Sequence, residues 1–305
     1  MQEKLYCIIY IMSIKKWKGY KRMRLPVWVL EQLNNLTNCE MEMYLWLVKR
    51  QNSWGMVKGV RVSDFKKIMV KQSFYNALKG LQKKGLINFF HRKAYHDYDI
   101  GLMFSAHREE HGSGKKYGEE YINLNNRIFQ SEEFNRLLSK EKFMVLMLYY
   151  KTSVTINASG TKAVHKKNRK DFYEYYSKLM KRSKRRIREY LNKIKIFFNV
   201  NRIRDNYHIG RNRNTYSLDK KADGNGKYTY RTHLVRTFSK RYGLKGVTDR
   251  FIEDVAKLYK NYIKSCDELM LDGEIERAIK THSKDNNKTA SAARVHQLLR
   301  EGLAL

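Results

Sequence analysis

The chain has 305 residues, and its 63 Lys and Arg against 30 Asp and Glu give a formal net charge of +33 at pH 7. This excess predicts a polyanionic partner, nucleic acid before any other, and argues against a metabolic enzyme. Apolar residues make up 42% of the chain, and 22 Tyr and 13 Phe argue against disorder, so we expect two or three folded domains.

The cysteines and the apolar segments indicate a protein of the cytoplasm. Cys7, Cys39 and Cys266 are odd in number and far apart, which fits neither a disulfide framework nor a zinc finger. The best apolar run, Leu5–Ile14, has about ten residues, whereas a membrane-spanning helix needs about 20. No small-residue cleavage site follows this run, so we expect neither a signal peptide nor a membrane partner.

Two polar segments that contain several glycines divide the chain, Ser105–Gly118 and Asp219–Gly226. We therefore expect an N-terminal extension, two folded domains, two linkers and a helical C-terminal domain. The predicted bounds, in chain order, are 1–19 (extension), 20–105 (first domain), 106–117 (linker), 118–220 (second domain), 221–227 (linker) and 228–305 (C-terminal domain).

Residues 20–105 predict three helices followed by two strands. Thr37 and Glu40 have the capping-box spacing, so a first helix begins there, and a short second helix follows Val62–Asp64. A third helix, Gln72–Lys84, ends before Gly85, a residue typical of that position. Strands at 86–90 and 98–104 follow. The apolar faces of the first and third helices are Met41, Tyr44, Leu45 and Val48, and Phe74, Ala77, Leu78 and Leu81. This order is typical of a winged helix.

Residues 118–220 repeat this order, so we interpret the two domains as a duplicated module. An opening strand is predicted at Tyr121–Phe129, and the final strands at Phe197–Ile203 and Asn214–Leu218. The corresponding faces are Phe143, Leu146, Met147 and Tyr150, 102 positions later, and Ile187, Tyr190, Leu191 and Ile194, 113 positions later. The loop Thr152–Lys170 would absorb the difference. The alternative is coincidence, because all amphipathic helices share this spacing.

The predicted fold class is α+β, mainly α with small β wings. It comprises two tandem winged-helix domains and a C-terminal helical region that is either a small bundle or a dimerisation arm. Helices are expected in that region at 249–265, 273–281 and 290–303.

The outward faces of the two third helices predict contacts with double-stranded DNA. Amides can bridge an adenine edge, and lysine and arginine can reach guanine or phosphate. The predicted base-reading residues are Gln72, Ser73, Tyr75, Asn76, Lys79, Arg185, Arg188 and Asn192. The second set is denser in charge, since residues 162–213 hold 18 Lys or Arg against four acids. Alternatives are a solvated basic surface and a surface for RNA.

Further basic residues near the helix starts and in the two wings are predicted to contact the DNA backbone. The second wing is predicted as Arg202–Arg213, a basic hairpin suited to phosphate contacts or to arginine insertion into a narrow minor groove. The backbone-contacting residues are Lys71, Lys83, Arg92, Lys93, Lys181, Arg182, Lys184, Arg186, Arg202, Arg204, Arg211 and Arg213.

Two short patterns resemble catalytic motifs. His107–His111 matches the H-x-x-E-H pattern of zinc peptidases, but it runs into glycines with little apolar helix around it, so we interpret it as a charged linker. Asp97 and Asp99 form a D-x-D pair such as holds metal ions in primases, without a matching third acid. We expect no cofactor, no metal and no catalytic residue, with a metal-dependent primase or nuclease as the enzyme alternative.

The segment Leu36–Glu40 followed by an apolar helix, and the paired helices Gln72–Lys84 and Ser183–Lys195, resemble plasmid and phage replication initiators. The resemblance covers about residues 20–220 and implies a protein without catalytic activity. Such proteins bind repeated sites at an origin, help to melt adjacent A+T-rich DNA and recruit host helicase or primase; a homodimer is a further expectation. The alternative within DNA binding is a transcriptional or partition regulator with the same modules.

Overall fold

The computed structural model describes residues 24–52, 54–103, 121–124, 126–154, 164–212, 226–263, 266–285 and 289–303. The N-terminal extension, the linker with the His107–His111 pattern, Arg213 and the predicted strand Asn214–Leu218 lie outside the described residues. Helices dominate, and the strands form small antiparallel sheets, so the predicted α+β class is confirmed.

The first unit comprises residues 24–103. Thr37 caps its long first helix, and Glu40 returns the capping-box bond, as predicted. Gly85 has a positive φ of 67° and follows Lys84, the C-cap of the third helix, which confirms its role in ending that helix. The elements are β1 (Arg24–Pro26), α1 (Leu30–Leu33), α2 (Asn38–Arg50), β2 (Met56–Val60), α3 (Lys71–Lys83), β3 (Ile87–Arg92) and β4 (Asp97–Leu102), with 3₁₀ turns at Val27–Val29, Val62–Phe65 and Lys93–Tyr95.

The second unit comprises residues 121–212. Its elements are β5 (Tyr121–Asn123), α4 (Arg127–Gln130), α5 (Glu132–Asn135), α6 (Ser139–Val154), β6 (Val164–Asn168), α7 (Arg169–Met180), α8 (Lys184–Lys193), β7 (Phe198–Ile203) and β8 (Asn206–Arg211), with a 3₁₀ turn at Ile194–Ile196. Each three-stranded sheet places its last strand in the centre, in the orders β2-β4-β3 and β6-β8-β7. In the first unit β2 follows α2 and precedes the 3₁₀ turn Val62–Phe65. In the second unit β6 follows α6 and precedes α7.

Two predictions for the second unit are wrong. The predicted strand Tyr121–Phe129 stops at Asn123, because Asn126 accepts a hydrogen bond from the N–H of Ile128 and so starts a helix. The predicted loop 152–170 contains the end of α6 and all of β6. The predicted basic hairpin at 202–213 corresponds to the end of β7, a turn at Arg204–Asp205, where Arg204 has a φ of 52°, and β8.

The two units share one hydrophobic cluster that extends from Leu25 to Ile209. β1 pairs with β5, so the strands that open the two units form one small sheet. Side chains also connect the first helices: the Asn38 Oδ1 accepts a hydrogen bond from the N–H of Ser139 at 2.8 Å, and Lys142 forms an ion pair with Glu42. These contacts hold the first and second units together as one packed body.

The C-terminal unit comprises residues 226–303 and has a separate hydrophobic cluster. Its helices are α9 (Gly226–Arg241), α10 (Asp249–Tyr262), α11 (Glu268–Lys284) and α12 (Ala292–Gly302). The three predicted helices correspond to α10, α11 and α12, whereas α9 has no predicted counterpart. α9 packs against α2 and β2 of the first unit, so a bundle of helices docks on that unit.

Candidate nucleic-acid interface

The helix α3 separates its side chains into a buried apolar face and an exposed polar face. All four residues of the predicted apolar face are buried. Lys71, Gln72, Asn76, Lys79 and Lys83 are exposed, while Ser73 and Tyr75 are half-buried. The amide of Gln72 donates to Asn76 Oδ1 at 3.1 Å, so two of the predicted base-reading amides lie side by side. The helix has no acidic residue, so its exposed face is uniformly positive or neutral.

A buried glutamate of α2 positions α3. Glu40 accepts a hydrogen bond from the N–H of Thr37 at 2.7 Å and forms an ion pair with Lys84, directly after α3. Gly80 makes room for this carboxylate, since a Cβ there would lie 2.1 Å from Glu40 Oε1. A glycine within a helix costs up to about 1 kcal/mol relative to alanine, and here it permits the close approach of α2 and α3.

The helix α8 has the same division and a higher charge. Ser183 Oγ caps it by accepting from the N–H of Arg186, and Ile187 and Leu191 are buried. The predicted residues Lys184, Arg185, Arg186, Arg188 and Asn192 are all exposed. Arg185 and Arg186 both contact Glu189, at 3.2 and 2.7 Å. Such exposed pairs contribute little to stability, because solvent screens them, so a phosphate or a base can displace Glu189 as their partner.

The two units repeat the glutamate that holds the third helix, and this repeat was missed by the sequence analysis. Glu141 accepts from the N–H of Leu138 at 2.9 Å and pairs with Lys193, the last residue of α8, at 2.7 Å. Glu40 and Glu141 therefore correspond, 101 positions apart, which corrects the predicted displacement of the first helix by one residue. Glu141 lies three residues after Leu138, which is the capping-box spacing and could have predicted this contact. The pattern was missed because leucine is not a typical N-cap residue.

A basic groove of about 520 Å³ lies where the start of α8 faces the start of α6. Nearby, Lys140 has a lowered pKa, caused by burial and then by the charges of Arg182 and Lys181. Cations crowded in this way are stabilised by an anion, so the groove is suited to a phosphate. It is lined by Leu138, Glu141, Lys181, Arg182, Ser183, Arg186, Glu189, Tyr190 and Lys193.

The basic residues of the two predicted wings differ in environment: some are exposed, and others form contacts within the protein. Lys93, Arg202 and Arg204 are exposed. Arg92 instead donates from Nε to Asp99 Oδ2 at 2.6 Å, between β3 and β4. This contact gives Arg92 a structural role in the β3–β4 hairpin, while its contact with the DNA backbone stays a prediction.

Arg211 also has a structural environment rather than the predicted one. Its guanidinium donates to Thr152 Oγ1 at 3.1 Å and to the carbonyl of Tyr149 at 3.0 Å, and it lies 3.7 Å from the centroid of the Tyr149 ring. Burial lowers the pKa of Arg211. Arg211 therefore joins β8 to α6 inside the second unit, which argues against the predicted phosphate contact.

The Asp97 and Asp99 pair is neutralised by arginines of the protein. The buried guanidinium of Arg241, from α9, lies 3.2 Å from Asp97 Oδ2 and 3.9 Å from Asp99 Oδ1. Asp99 also accepts from Arg92 and from the N–H of Gly59 at 2.8 Å. In these contacts the two carboxylates join the C-terminal unit to β4 of the first unit, which argues against the metal-binding interpretation.

Within the described ranges, no cluster of three or more His, Cys, Asp and Glu side chains is arranged to hold a metal ion. None of the helices in that part of the chain combines the length and apolarity needed to cross a membrane. Comparison of the sequence and the fold with protein-family models, curated proteins and solved structures gives no match.

Proposed function

We propose that this chain is a sequence-specific double-stranded DNA-binding protein with two winged-helix units, and that it acts as a plasmid or phage replication initiator. One observation supports this proposal above the others. Two units with the same order of helices and strands each present a third helix, α3 and α8, that buries its apolar face and exposes amide and basic side chains. This is the arrangement that places a recognition helix in the major groove.

In the proposed mechanism, α3 and α8 enter successive major grooves of one site. Gln72 and Asn76 bridge adenine edges, and Arg185 and Arg188 bond to guanine. Lysines at the helix starts, the groove beside α8 and the wing tips contact phosphates, and these contacts supply the affinity and its dependence on salt.

The shared core of the first two units gives the proposed site a defined geometry. Because β1–β5 pairing and the contacts between α2 and α6 hold the units in one body, the distance between α3 and α8 is fixed. We therefore expect a site of two parts with a fixed spacing. Insertion of about five base pairs between the parts would rotate one of them to the opposite side of the duplex and abolish binding by both helices.

The initiator role rests on the resemblance to plasmid and phage initiators, which also implies recruitment of host helicase or primase and a homodimer at some stage. The test is selection of bound duplexes from a random library at physiological salt, followed by a search for the selected motif in the source replicon. Clustered repeats beside an A+T-rich tract would support initiation. A single motif over a promoter would favour the regulator instead.

A charge-matched control separates sequence reading from general attraction. The Arg185→Ala, Arg188→Ala double variant should lose affinity for the selected site more than for random duplex. The Lys284→Ala, Arg300→Ala variant removes the same charge from exposed positions of the C-terminal unit and should change both affinities little. If no motif is selected, and both double variants weaken all duplexes equally, the protein is a general polyanion binder and the proposal fails.

A further inference from the structure

An exposed valine occupies the position that caps the proposed recognition helix α3. Val70 has extended backbone torsions, with φ −75° and ψ 160°, and its side chain makes no capping hydrogen bond. It is 71% exposed, and Ile68 beside it is 40% exposed. Two branched apolar side chains are therefore exposed just before a helix whose first residues are Lys71 and Gln72.

The rest of the protein shows that valine is not a structural requirement at this position. The N-cap residue of α8 in the second unit is Ser183, whose side chain caps that helix, and side chains also cap α2, α7, α10, α11 and α12. A Ser, Thr, Asp or Asn at the N-cap stabilises a helix relative to an apolar residue. The first unit thus gives up a stabilising cap and exposes an apolar side chain instead.

The charges around Val70 indicate what covers it. Residues 65–96 contain eight Lys or Arg and no Asp or Glu, and Lys66, Lys67 and Lys71 next to Val70 are exposed. An apolar protein surface would have to remove water from these lysines without compensation. The major groove of duplex DNA offers phosphates for the lysines and one apolar group, the C5-methyl of thymine, for a branched side chain.

We propose that Val70 is a specificity-determining residue that contacts the C5-methyl group of a thymine, with Ile68 packing on its outer side. This inference rests on the proposed DNA-binding function and deepens it. It assigns base reading to a residue that the amphipathic pattern of α3 leaves outside the helix, whereas Gln72 and Asn76 read the neighbouring base edges.

The test replaces each thymine of the selected site by uracil, which removes only the methyl group. For the wild-type protein one such replacement should weaken binding about fourfold, the equivalent of one buried methyl group. The Val70→Ser variant should bind the thymine site about tenfold more weakly than wild type and should not distinguish thymine from uracil at that position. The Met270→Ser variant changes another exposed apolar residue, 55% exposed in α11, and should match wild type on both DNAs.

Thermal unfolding of the same variants shows whether a loss of affinity comes from a lost DNA contact or from a less stable protein. Val70→Ser supplies the missing cap, so its Tm should rise by about 2 °C while its affinity falls. Equal affinity of Val70→Ser and wild type, or a uracil effect that persists in Val70→Ser, would overturn the assignment of Val70. Absence of a selected DNA motif for the wild-type protein would instead overturn the proposed function itself.

Discussion

Replacement of Arg241 by methionine tests how the C-terminal unit is attached to the first unit. The guanidinium is buried and contacts three carboxylates: Asp97 at 3.2 Å, Asp99 at 3.9 Å and Glu276 at 2.6 Å. Methionine keeps much of the side-chain volume but removes the charge. Asp97 would retain only the more distant Arg61, at 3.8 Å, among the ion pairs described for it.

The expected loss follows from the burial of Asp97, which is 0% exposed. Removing one partner of a buried ion pair costs about 3–5 kcal/mol, because the remaining charge is left without compensation. Asp99 adds less to this cost, since it keeps Arg92 and the N–H of Gly59. We therefore expect Arg241→Met to lower the free energy of unfolding by about 3–5 kcal/mol at pH 7.

The sign of the pH dependence gives a second, independent expectation. Burial raises the pKa of Asp97, and the attraction of Arg241 opposes this rise. Without Arg241 the folded-state pKa of Asp97 rises further above its unfolded value, so the folded variant binds a proton more readily than the unfolded one. The loss in free energy of unfolding that Arg241→Met shows relative to wild type should therefore become smaller, by about 1 kcal/mol or more, as the pH falls from 7.5 to 5.

Urea unfolding of both proteins at pH 7.5 and pH 5 measures these differences, and hydrogen exchange of α9 and β2 shows where the loss occurs. Arg236→Met is the matched control, because Arg236 also lies on α9 but pairs with Asp249 in an exposed position. It should change stability by less than about 1 kcal/mol. A similarly small effect of Arg241→Met, or a deficit that does not change with pH, would refute the reasoning.

Three further predictions concern other contacts. Burial lowers the pKa of His233 to about 4. The free energy of unfolding should therefore be highest above pH 6.5 and lower by about 2 kcal/mol at pH 5, because the unfolded chain binds the proton more readily; His233→Gln, measured by urea unfolding, should lose this dependence. Arg211→Ala should lower stability by about 1–3 kcal/mol, because its hydrogen bonds to α6, including that to the carbonyl of Tyr149, are lost; a change confined to DNA affinity, at unchanged Tm, would contradict its structural role. Gly59→Ala should destabilise by at least about 1 kcal/mol, since φ is +64° and the new Cβ would lie 2.0 Å from Thr237 Cγ2; a Tm equal to that of wild type would exclude this close packing.

The helices that position the candidate interface were predictable because their signals are local. The helix α3 buries every third or fourth residue and ends before Gly85, so sequence spacing alone defined its two faces. β2 and β6 were missed for the opposite reason. β2 contains Gly59 and Lys58, and β6 is largely basic, so neither has the alternation that indicates a strand. Their strand conformation depends on pairing with β4 and β8, which are distant in sequence.

The sequence by itself determined the charge of this protein, the succession of most helices in its first two units and the identity of the cations on the outer faces of α3 and α8. These properties depend on composition and on residues within one or two helical turns of each other. The tertiary structure decided which cations are exposed: it encloses Arg211 between β8 and α6, pairs Arg92 with Asp99 and buries Arg241 between two units. It also left Val70 in water at the start of α3. Such outcomes depend on contacts between distant segments, because burial and ion pairing are set by neighbours in space.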